Sequence, residues 1–386
     1  MTTLLGGMTP QAFLDAHWQK KALLVRQAVP EFQGLVSRDD LFALAQREDV
    51  MSRLVTWKKG RLKLVPGPVT MTPSQLGAGP WSILVQGIEA LVPAGQELLA
   101  RFEAIVPRAR LDDLMVSWAT EGGGVGPHTD RYDVFLLQGA GRRRWQLSTR
   151  TFAPDDKAEL PTLKGFVPEV EYVLDPGDML YLPPGVAHHG VAVDGPCFTY
   201  SIGAVAPTVE GLLQNFLGYL SQKIEADVDM SAMYDDPDLQ APAEGAAHVI
   251  SDAMVARVTR ILDQVRFGPA DVDEFLGRLL TGPKPTVEFD ELPRAPTVDD
   301  VRKHLLRPGL LRLTLPSRGL VRGRRIFLNG ETVSLDDDDD LRVGSALIEQ
   351  RQLSLPLTKA PSAVLVAFIA EGLQRGFLQL VAAPKR

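Results

Sequence analysis

The 386-residue chain has few of the features that mark secreted or membrane proteins. It contains one cysteine, Cys197, so it forms no internal disulfide, which fits a reducing compartment. No apolar run approaches the ~20 residues that a transmembrane helix needs. The first residues lack a basic region followed by a long apolar stretch, so no secretory signal is expected. These absences predict a cytoplasmic protein with no membrane partner.

An excess of basic residues is also missing. The net charge of −7 argues against a general nucleic-acid binder. The charge is uneven, however: residues 211–300 carry 17 Asp/Glu against 7 Lys/Arg, and residues 301–386 carry 8 against 14. A locally basic C-terminal surface therefore remains open. The length is sufficient for two or three domains, each with a sizeable core.

Two short motifs that each end near a histidine are the most informative feature present. The first is Gly-Gly-Gly-Val-Gly-Pro-His128-Thr-Asp130, and the second is Gly-Asp-Met-Leu-Tyr-Leu-Pro-Pro-Gly-Val-Ala-His188. Two imidazoles and one carboxylate are the ligand set of many non-haem Fe(II) sites. On a β-strand, His128 and Asp130 would point to the same side. A lone His-x-Asp is a weak signal, but the joint pattern predicts a metal site of His128, Asp130 and His188.

These motifs resemble those of the double-stranded β-helix oxygenases of the cupin and JmjC type, which depend on Fe(II) and 2-oxoglutarate. More narrowly, Asp-Asp-Leu-Met-Val-Ser117-Trp, Gln138-Gly-Ala-Gly-Arg-Arg-Arg-Trp145 and the segments 17–26 and 81–86 are similar to the bacterial ribosomal-protein hydroxylases. The similarity covers nearly the whole chain. It implies an Fe(II)- and 2-oxoglutarate-dependent dioxygenase that uses O2 to hydroxylate the β-carbon of an arginine in a large-subunit ribosomal protein.

Strand parity selects one arginine to bind this cosubstrate. The distal carboxylate of 2-oxoglutarate needs a fixed cation, ideally one with fork geometry. Arg143 shares its side of the strand with Trp145 and Leu147, and the apolar side should face the barrel interior. Arg143 is therefore the predicted ligand, and it matches the 2-oxoglutarate-binding arginine of the family. Arg142 and Arg144 fit a basic surface patch.

Two further residues are candidates for the same cavity. Ser117 lies on a strand-like run, and the resemblance implies that its hydroxyl contacts 2-oxoglutarate. A strand serine that bonds to a neighbouring backbone group explains Ser117 nearly as well. Tyr132 follows Asp130 by two positions and should line the metal cavity.

The predicted fold class is α+β, in three blocks. Residues 1–207 should form the JmjC/cupin catalytic barrel, in which Val134–Gln138, Gly-Ala-Gly and Arg142–Leu147 predict a hairpin. Residues 208–282 place apolar side chains at helical spacing in three short helices. Packing within one bundle is the ordinary explanation, but so small a block buries little apolar surface alone. Pairing across a two-fold axis is the alternative, and the resemblance implies a homodimer through this region.

Residues 283–386 should form a winged-helix-like C-terminal domain. Its first residues belong to a proline-rich linker at 282–297. Helices are predicted near 297–306, Ser345 and 362–375, and a hairpin turns at Asn329-Gly330. The aspartate run 336–340 favours a solvated loop. Four arginines at 318, 322, 324 and 325 could contact RNA, but without interleaved aromatic residues a solvated face is favoured.

Other functions remain open from the sequence. Eukaryotic relatives hydroxylate histidines of ribosomal proteins, so a histidine target is one alternative. A small-molecule cupin metalloenzyme and a non-enzymatic cupin/winged-helix regulator are two more. An interior arginine argues against the small-molecule enzyme, since a cupin without 2-oxoglutarate needs no carboxylate fork. The intact ligand triad argues against the regulator.

Overall fold

The computed structural model describes residues 3–58, 61–155, 159–227, 231–237, 239–241, 248–285 and 287–382. The outermost ends of the predicted first and last blocks, residues 1–2 and 383–386, lie outside this part. Eleven strands precede residue 205 in the described part: β1 (Leu23–Val25), β2 (Ser52–Lys58), β3 (Arg61–Pro66), β4 (Trp81–Val85), β5 (Leu111–Ala119), β6 (Asp133–Gln138), β7 (Arg142–Ser148), β8 (Val170–Leu174), β9 (Met179–Leu182), β10 (Ala187–Val193) and β11 (Cys197–Ala204).

These strands form two facing antiparallel sheets. The larger sheet has the order β1-β9-β6-β11-β5-β4-β2-β3, and the smaller has the order β10-β7-β8. Leu136 and Leu180 of the larger sheet pack in one buried cluster with Trp145 and Leu174 of the smaller sheet. The chain passes repeatedly from one sheet to the other, which gives the double-stranded β-helix that the sequence predicts.

The predicted hairpin between β6 and β7 is wrong, because these strands belong to different sheets. The Gly139-Ala140-Gly141 turn first stays beside β11, where the Phe198 amide donates to the Ala140 carbonyl at 2.8 Å. The chain then crosses to the smaller sheet. A glycine-rich turn serves a hairpin and a barrel corner equally well, so turn residues alone could not distinguish them.

The outer face of the larger sheet is covered by N-terminal helices. Alternation along β5 explains this, since Leu114, Val116 and Trp118 join the outer core whereas Met115 and Ser117 point into the barrel. Ser37 and Asp40 form a capping box that starts one of these helices. The helices are α1 (Pro10–Ala16), α2 (Arg38–Ala45), α3 (Pro73–Leu76), α4 (Ile88–Leu91) and α5 (Pro93–Phe102).

Three helices follow the barrel, as the apolar spacing predicts. They are α6 (Val209–Asp227), α7 (Asp252–Leu262) and α8 (Pro269–Thr281). Phe216 of α6 packs edge-on against Phe275 of α8, with ring centroids 5.0 Å apart. Gly277 of α8 lies against the ring of Phe327, so this helix also contacts the C-terminal module. Among the described helices, none has the length and apolarity to cross a bilayer.

The C-terminal module surrounds a separate apolar core. The Asn329-Gly330 hairpin turn is present, with positive φ at both residues. The stretch before this turn, Gly319–Leu328, is itself folded at Gly323 into two paired strands. The elements are α9 (Val298–Leu305), β12 (Gly309–Leu313), β13 (Gly319–Arg322), β14 (Arg325–Leu328), β15 (Glu331–Ser334), α10 (Asp338–Gln350), β16 (Gln352–Leu355), α11 (Ala363–Gln374) and β17 (Leu378–Ala382).

The aspartate run begins α10 instead of forming the predicted loop. The Asp337 carboxylate accepts hydrogen bonds from the amides of Asp339 and Asp340, at 2.8 and 3.0 Å. Lys359 lies 2.8 Å from the Asp339 carboxylate. Repulsion among the five charges is therefore offset by the helix N-terminus and by a cation that is distant in sequence.

The predicted solvated face is present for two of the four arginines, because Arg322 and Arg324 are exposed whereas Arg318 and Arg325 are half-buried. Each of the four contacts an acceptor of the protein, and all four acceptors lie outside β13–β15. The pairs are Arg318 with Asp112 (3.8 Å), Arg322 with Asp273 (3.4 Å), Arg324 with Asp338 (2.8 Å) and Arg325 with the Ala270 carbonyl (3.1 Å). The contacts of Arg318, Arg322 and Arg325 attach the module to the barrel and to α8, whereas the Arg324 pair lies within the module.

Candidate metal centre

The first histidine motif runs beside β10. The Gly122 amide donates to the Ala192 carbonyl at 2.9 Å, and the Ala192 amide donates back to Gly123 at 3.0 Å. His128 and His188 then form an isolated antiparallel bridge. The segment from His128 to Asp130 is not the regular strand that the sequence predicts, because β6 begins only at Asp133. Backbone pairing nevertheless places the two histidines opposite each other.

Glycine at positions 124 and 190 permits this close approach. A Cβ atom on Gly124 would lie 2.2 Å from the Gly190 carbonyl oxygen, closer than any real contact. A Cβ atom on Gly190 would meet the Trp145 ring at 2.6 Å. The glycine-rich sequence is therefore required by the spacing between the motif and β10.

The second motif holds the third candidate ligand. Its Pro-Pro-Gly turn places the Gly185 amide 2.8 Å from the Asp130 carbonyl, to which it donates. The Asp130 carboxylate then lies 3.6 Å from Nε2 of His188. The structure thus brings together His128, Asp130 and His188, and one ligand atom from each lies within 4.8 Å of the others.

The imidazole orientations fit a metal ion. Nδ1 of His128 lies 2.9 Å from the Gly126 carbonyl, and Nδ1 of His188 lies 2.9 Å from the Val186 carbonyl. A carbonyl accepts, so each ring carries its proton on Nδ1 and keeps the Nε2 lone pair free. Two Nε2 lone pairs and a carboxylate oxygen are suitable donors for Fe(II).

Burial disfavours the charged forms of two of these donor groups. Burial and the neighbouring His128 lower the pKa of His188 to about 3, so its imidazole is neutral at physiological pH. Burial raises the pKa of Asp130, against the opposing effects of His128, Arg53 and Tyr132. Buried groups that resist charge in this way are typical of functional sites.

Arg143 is buried in the barrel, on the same side of β7 as Trp145. Its side chain is 4% exposed, and its Nε and Nη2 atoms have no hydrogen-bond acceptor among the described residues. The guanidinium lies 5.7 Å from the Trp145 ring, whose Nε1 also has no partner in that part of the chain. Buried donors without acceptors are costly, so this cradle fits an anionic ligand such as a carboxylate.

Ser117 and Tyr132 also face the barrel interior. The Ser117 hydroxyl is 3.5 Å from the Thr199 carbonyl, a long contact that leaves it available to another partner. Thr199 in turn donates to Gln138 at 3.2 Å. Burial and the charge of Asp130 raise the pKa of Tyr132 to about 12, so its hydroxyl stays protonated beside the ligand carboxylate.

Two positions refine the sequence interpretation. Sequence reasoning missed Arg53 of β2, whose Nη2 lies 3.4 Å from Met115 Sδ and whose charge acts on Asp130. No local signal marks Arg53, because polar and apolar residues do not alternate regularly along β2. His189 faces away from the ligands and packs edge-on against Phe166, with ring centroids 6.3 Å apart.

Family models match most of the chain. Residues 97–212 match the JmjC domain, and residues 260–379 match a ROXA-like winged helix. Residues 168–290 also match an AraC-like ligand binding domain. The fold class expected from the sequence is confirmed by these matches and by solved structures.

Known proteins resemble the chain over nearly its full length. The ribosomal protein uL16 3-hydroxylase of Escherichia coli is 31% identical over 326 residues, which cover 83% of this chain and 84% of that protein. The X-ray structure of YcfD from E. coli has a TM-score of 0.82 and 27% identity, and the match covers 97% of this chain and 98% of that chain. A further structure of that ribosomal oxygenase, in complex with cobalt and 2-oxoglutarate, matches over the same shares with a TM-score of 0.79 and 27% identity.

Proposed function

The chain belongs to the JmjC family of ribosomal oxygenases, and from this premise we propose that it hydroxylates the β-carbon of an arginine in the large-subunit ribosomal protein uL16. It is an oxygenase that uses Fe(II), 2-oxoglutarate and O2. With a ribosomal protein as substrate, its activity would lie in the cytoplasm. The convergence of His128, Asp130 and His188 inside the barrel carries the oxygenase part of this proposal, and similarity to the uL16 3-hydroxylase supports the substrate.

The ligand triad would hold the iron. His128 and His188 would bind through Nε2, since their Nδ1 atoms are engaged by backbone carbonyls. Asp130 would supply one carboxylate oxygen. With 2-oxoglutarate and O2 bound, the iron centre supplies an oxidant for an unactivated C–H bond, while 2-oxoglutarate is oxidised to succinate and CO2. The protein orients the reactants and excludes water.

Arg143 would bind the distal carboxylate of 2-oxoglutarate. Its unpaired Nε and Nη2 atoms offer two parallel donors, which is the geometry of a bidentate carboxylate contact. Ser117 would add a hydroxyl donor from the facing sheet. Tyr132 would line the cavity beside Asp130 and keep a neutral hydroxyl there. The interior arginine is the feature that favours this reading over a small-molecule cupin enzyme.

The domain assignment and the homodimer belong to the same proposal. The barrel (1–207) would carry the chemistry, and the winged-helix-like module (283–386) would follow the dimerisation helices (208–282). Support for the dimer comes from apolar side chains that α6, α7 and their flanks leave exposed: Val209 (75%), Leu213 (60%), Leu217 (65%), Ile250 (73%), Val255 (54%) and Leu262 (64%). Monomeric proteins rarely expose contiguous apolar patches of this kind.

Mass spectrometry of ribosomal proteins tests the substrate. Intact masses are compared between cells with and without the gene, and fragment ions then locate the added oxygen. The expected result is a gain of one oxygen on an arginine of uL16. An oxygen on a histidine would favour the eukaryotic type of reaction. If purified enzyme turns over 2-oxoglutarate with iron while no ribosomal protein changes mass, the oxygenase assignment stands and the ribosomal substrate is rejected.

A further inference from the structure

A large cleft separates the barrel from the C-terminal module. Its volume is about 860 Å³, within the range of ~300–1,000 Å³ that is usual for ligand pockets. The barrel forms one wall with Met51, Gln86 and Asp113. The linker and the C-terminal module form the other with Phe289, Leu315 and Arg318. The walls thus combine apolar and charged side chains, and they lie outside the ligand triad.

Polar contacts hold the two walls in place. The Lys284 ammonium donates to the Asp112 carbonyl at 2.8 Å and lies 3.5 Å from carboxylate oxygens of both Glu89 and Asp113. On the other side, the Gln96 amide donates to the Leu315 carbonyl at 2.9 Å. One partly buried cation is therefore shared by carboxylates of the barrel, so the cleft is a formed feature of the fold.

One strand of the barrel, β5, extends from the cleft into the barrel interior. Asp113 shares one face of β5 with Met115 and Ser117, a row that leads from the cleft into the barrel. At Gly203, a Cβ atom would lie 3.8 Å from the Asp113 carbonyl and 3.7 Å from the Tyr132 ring. β5 thus carries Asp113 at the cleft and Ser117 inside the barrel.

The cleft carries an excess of negative charge. Seven carboxylates line it against four Lys or Arg side chains. The basic side chains are engaged locally, as Arg47 donates to Asp49 at 2.9 Å and Lys284 contacts Glu89 and Asp113. The exposed carboxylates of Glu288 and Asp290, on the linker, have no ion-pair partner among the described residues. These two carboxylates are therefore available to bind a cationic ligand.

We propose that this cleft binds a Lys/Arg-rich segment of the ribosomal protein substrate, at a distance from the residue that is hydroxylated. The inference rests on the proposed function and adds a recognition site to it. Proteins that bind ribosomal RNA neutralise phosphates with Lys and Arg, so their surfaces complement an acidic cleft. The aliphatic stems of these side chains suit the apolar wall around Phe289 and Leu315. The C-terminal module then acts as the second half of a substrate groove.

Charge reversal at the two free carboxylates tests this site. The cleft variant is Glu288→Lys with Asp290→Lys, and the matched control is Glu48→Lys with Glu291→Lys. The control changes the charge by the same amount, at exposed residues next to the cleft in sequence that do not line it. KM is measured for full-length uL16 and for a short peptide that contains only the hydroxylated residue and its nearest neighbours. The KM for full-length uL16 divided by the KM for the short peptide should rise about tenfold in the cleft variant. In the control, this ratio should stay within about twofold of the wild-type ratio.

A binding measurement separates this proposal from the proposed function. Calorimetry with a nona-arginine peptide needs no turnover and should show binding to the wild type that weakens as salt rises. The cleft variant should bind about tenfold more weakly than the control. If the wild-type enzyme does not modify uL16, the proposed substrate is rejected, and this titration still tests whether the cleft binds a basic peptide. If uL16 is hydroxylated but the two variants behave alike in both measurements, the cleft proposal is overturned and the proposed function remains.

Discussion

His128 and His188 exchange both backbone hydrogen bonds across one isolated bridge, at 2.9 and 2.8 Å, and their ring centroids lie 4.2 Å apart. The backbone thus fixes the separation of two imidazoles before any metal binds. Each ring is then oriented by its Nδ1 contact to a carbonyl two residues earlier. Both donor rings are already ordered before a metal ion binds, so binding costs little further conformational entropy.

Replacement of one histidine should remove the metal without unfolding the barrel. We expect His188→Ala to lose iron and to abolish 2-oxoglutarate turnover, because a buried ligand atom is missing. His189→Ala is the matched control, since its ring faces the opposite side and packs against Phe166. Iron content is measured by elemental analysis and the fold by circular dichroism. Full iron content and activity in His188→Ala would show that the triad assignment is wrong.

Arg143 should matter for the cosubstrate and not for the stability of the apoprotein. In Arg143→Met, we expect the affinity for 2-oxoglutarate to fall by roughly ten- to several-hundred-fold, because a charge-assisted bidentate contact is lost. The melting temperature of the apoprotein should not decrease, since the variant removes a buried guanidinium with unpaired nitrogens. Arg142→Met is the control, because Arg142 is exposed and pairs with Asp175 at 2.9 Å. Equal losses of affinity in both variants would contradict the role of Arg143.

Local sequence rules predicted most of the barrel and the placement of its candidate ligands. Strand alternation alone placed Arg143 on the buried side of β7, and motif spacing brought His128 and His188 into one site. The rules failed where the decisive partner is distant in sequence. Arg53 lies near the site because its strand, β2, pairs with β4. The aspartate run at 336–340 begins a helix that is stabilised by an ion pair with Lys359. The residues next to Arg53 and next to the aspartate run do not indicate either of these long-range contacts.

Gly124 should be intolerant of even one methyl group. A Cβ atom there would lie 2.2 Å from the Gly190 carbonyl, so Gly124→Ala must displace the first motif from β10. We expect a loss of ~1–3 kcal/mol in the free energy of unfolding and weaker iron binding, as His128 moves away from His188. Gly79→Ala is the control, because a Cβ atom there would have no atom within 4 Å among the described residues beyond its chain neighbours. Chemical denaturation and iron titration check both effects, and unchanged iron affinity in Gly124→Ala would argue against the role of the close approach.

Asp178 should contribute stability that acid removes. Burial would raise its pKa, but hydrogen bonds from Gln27, Arg26 and Asp175 outweigh this, so the pKa lies below the ordinary value of 3.8. Because the folded-state pKa is lowered, the stabilisation is fully present above pH 3.8 and is lost as the pH falls through the folded-state value. We expect Asp178→Asn to be less stable than the wild type at pH 7, and the difference in the free energy of unfolding to shrink below pH 3.8. A difference that stays constant from pH 7 to pH 2.5 would contradict this account.

The exposed apolar residues of α6 should form a dimer interface. Val209, Leu213 and Leu217 recur every four residues, so they lie in one stripe, and Leu217 is 65% exposed. In a two-fold dimer each position occurs twice, so Leu217→Glu would introduce two charges into the same interface. We expect light scattering to give twice the 42.1 kDa chain mass for the wild type and a single chain mass for Leu217→Glu at micromolar concentration. Val364→Glu is the control, since this side chain is 53% exposed on α11, and it should leave the mass unchanged. A wild-type mass of one chain at every concentration would reject the dimer, whereas dissociation of both variants would place the interface elsewhere.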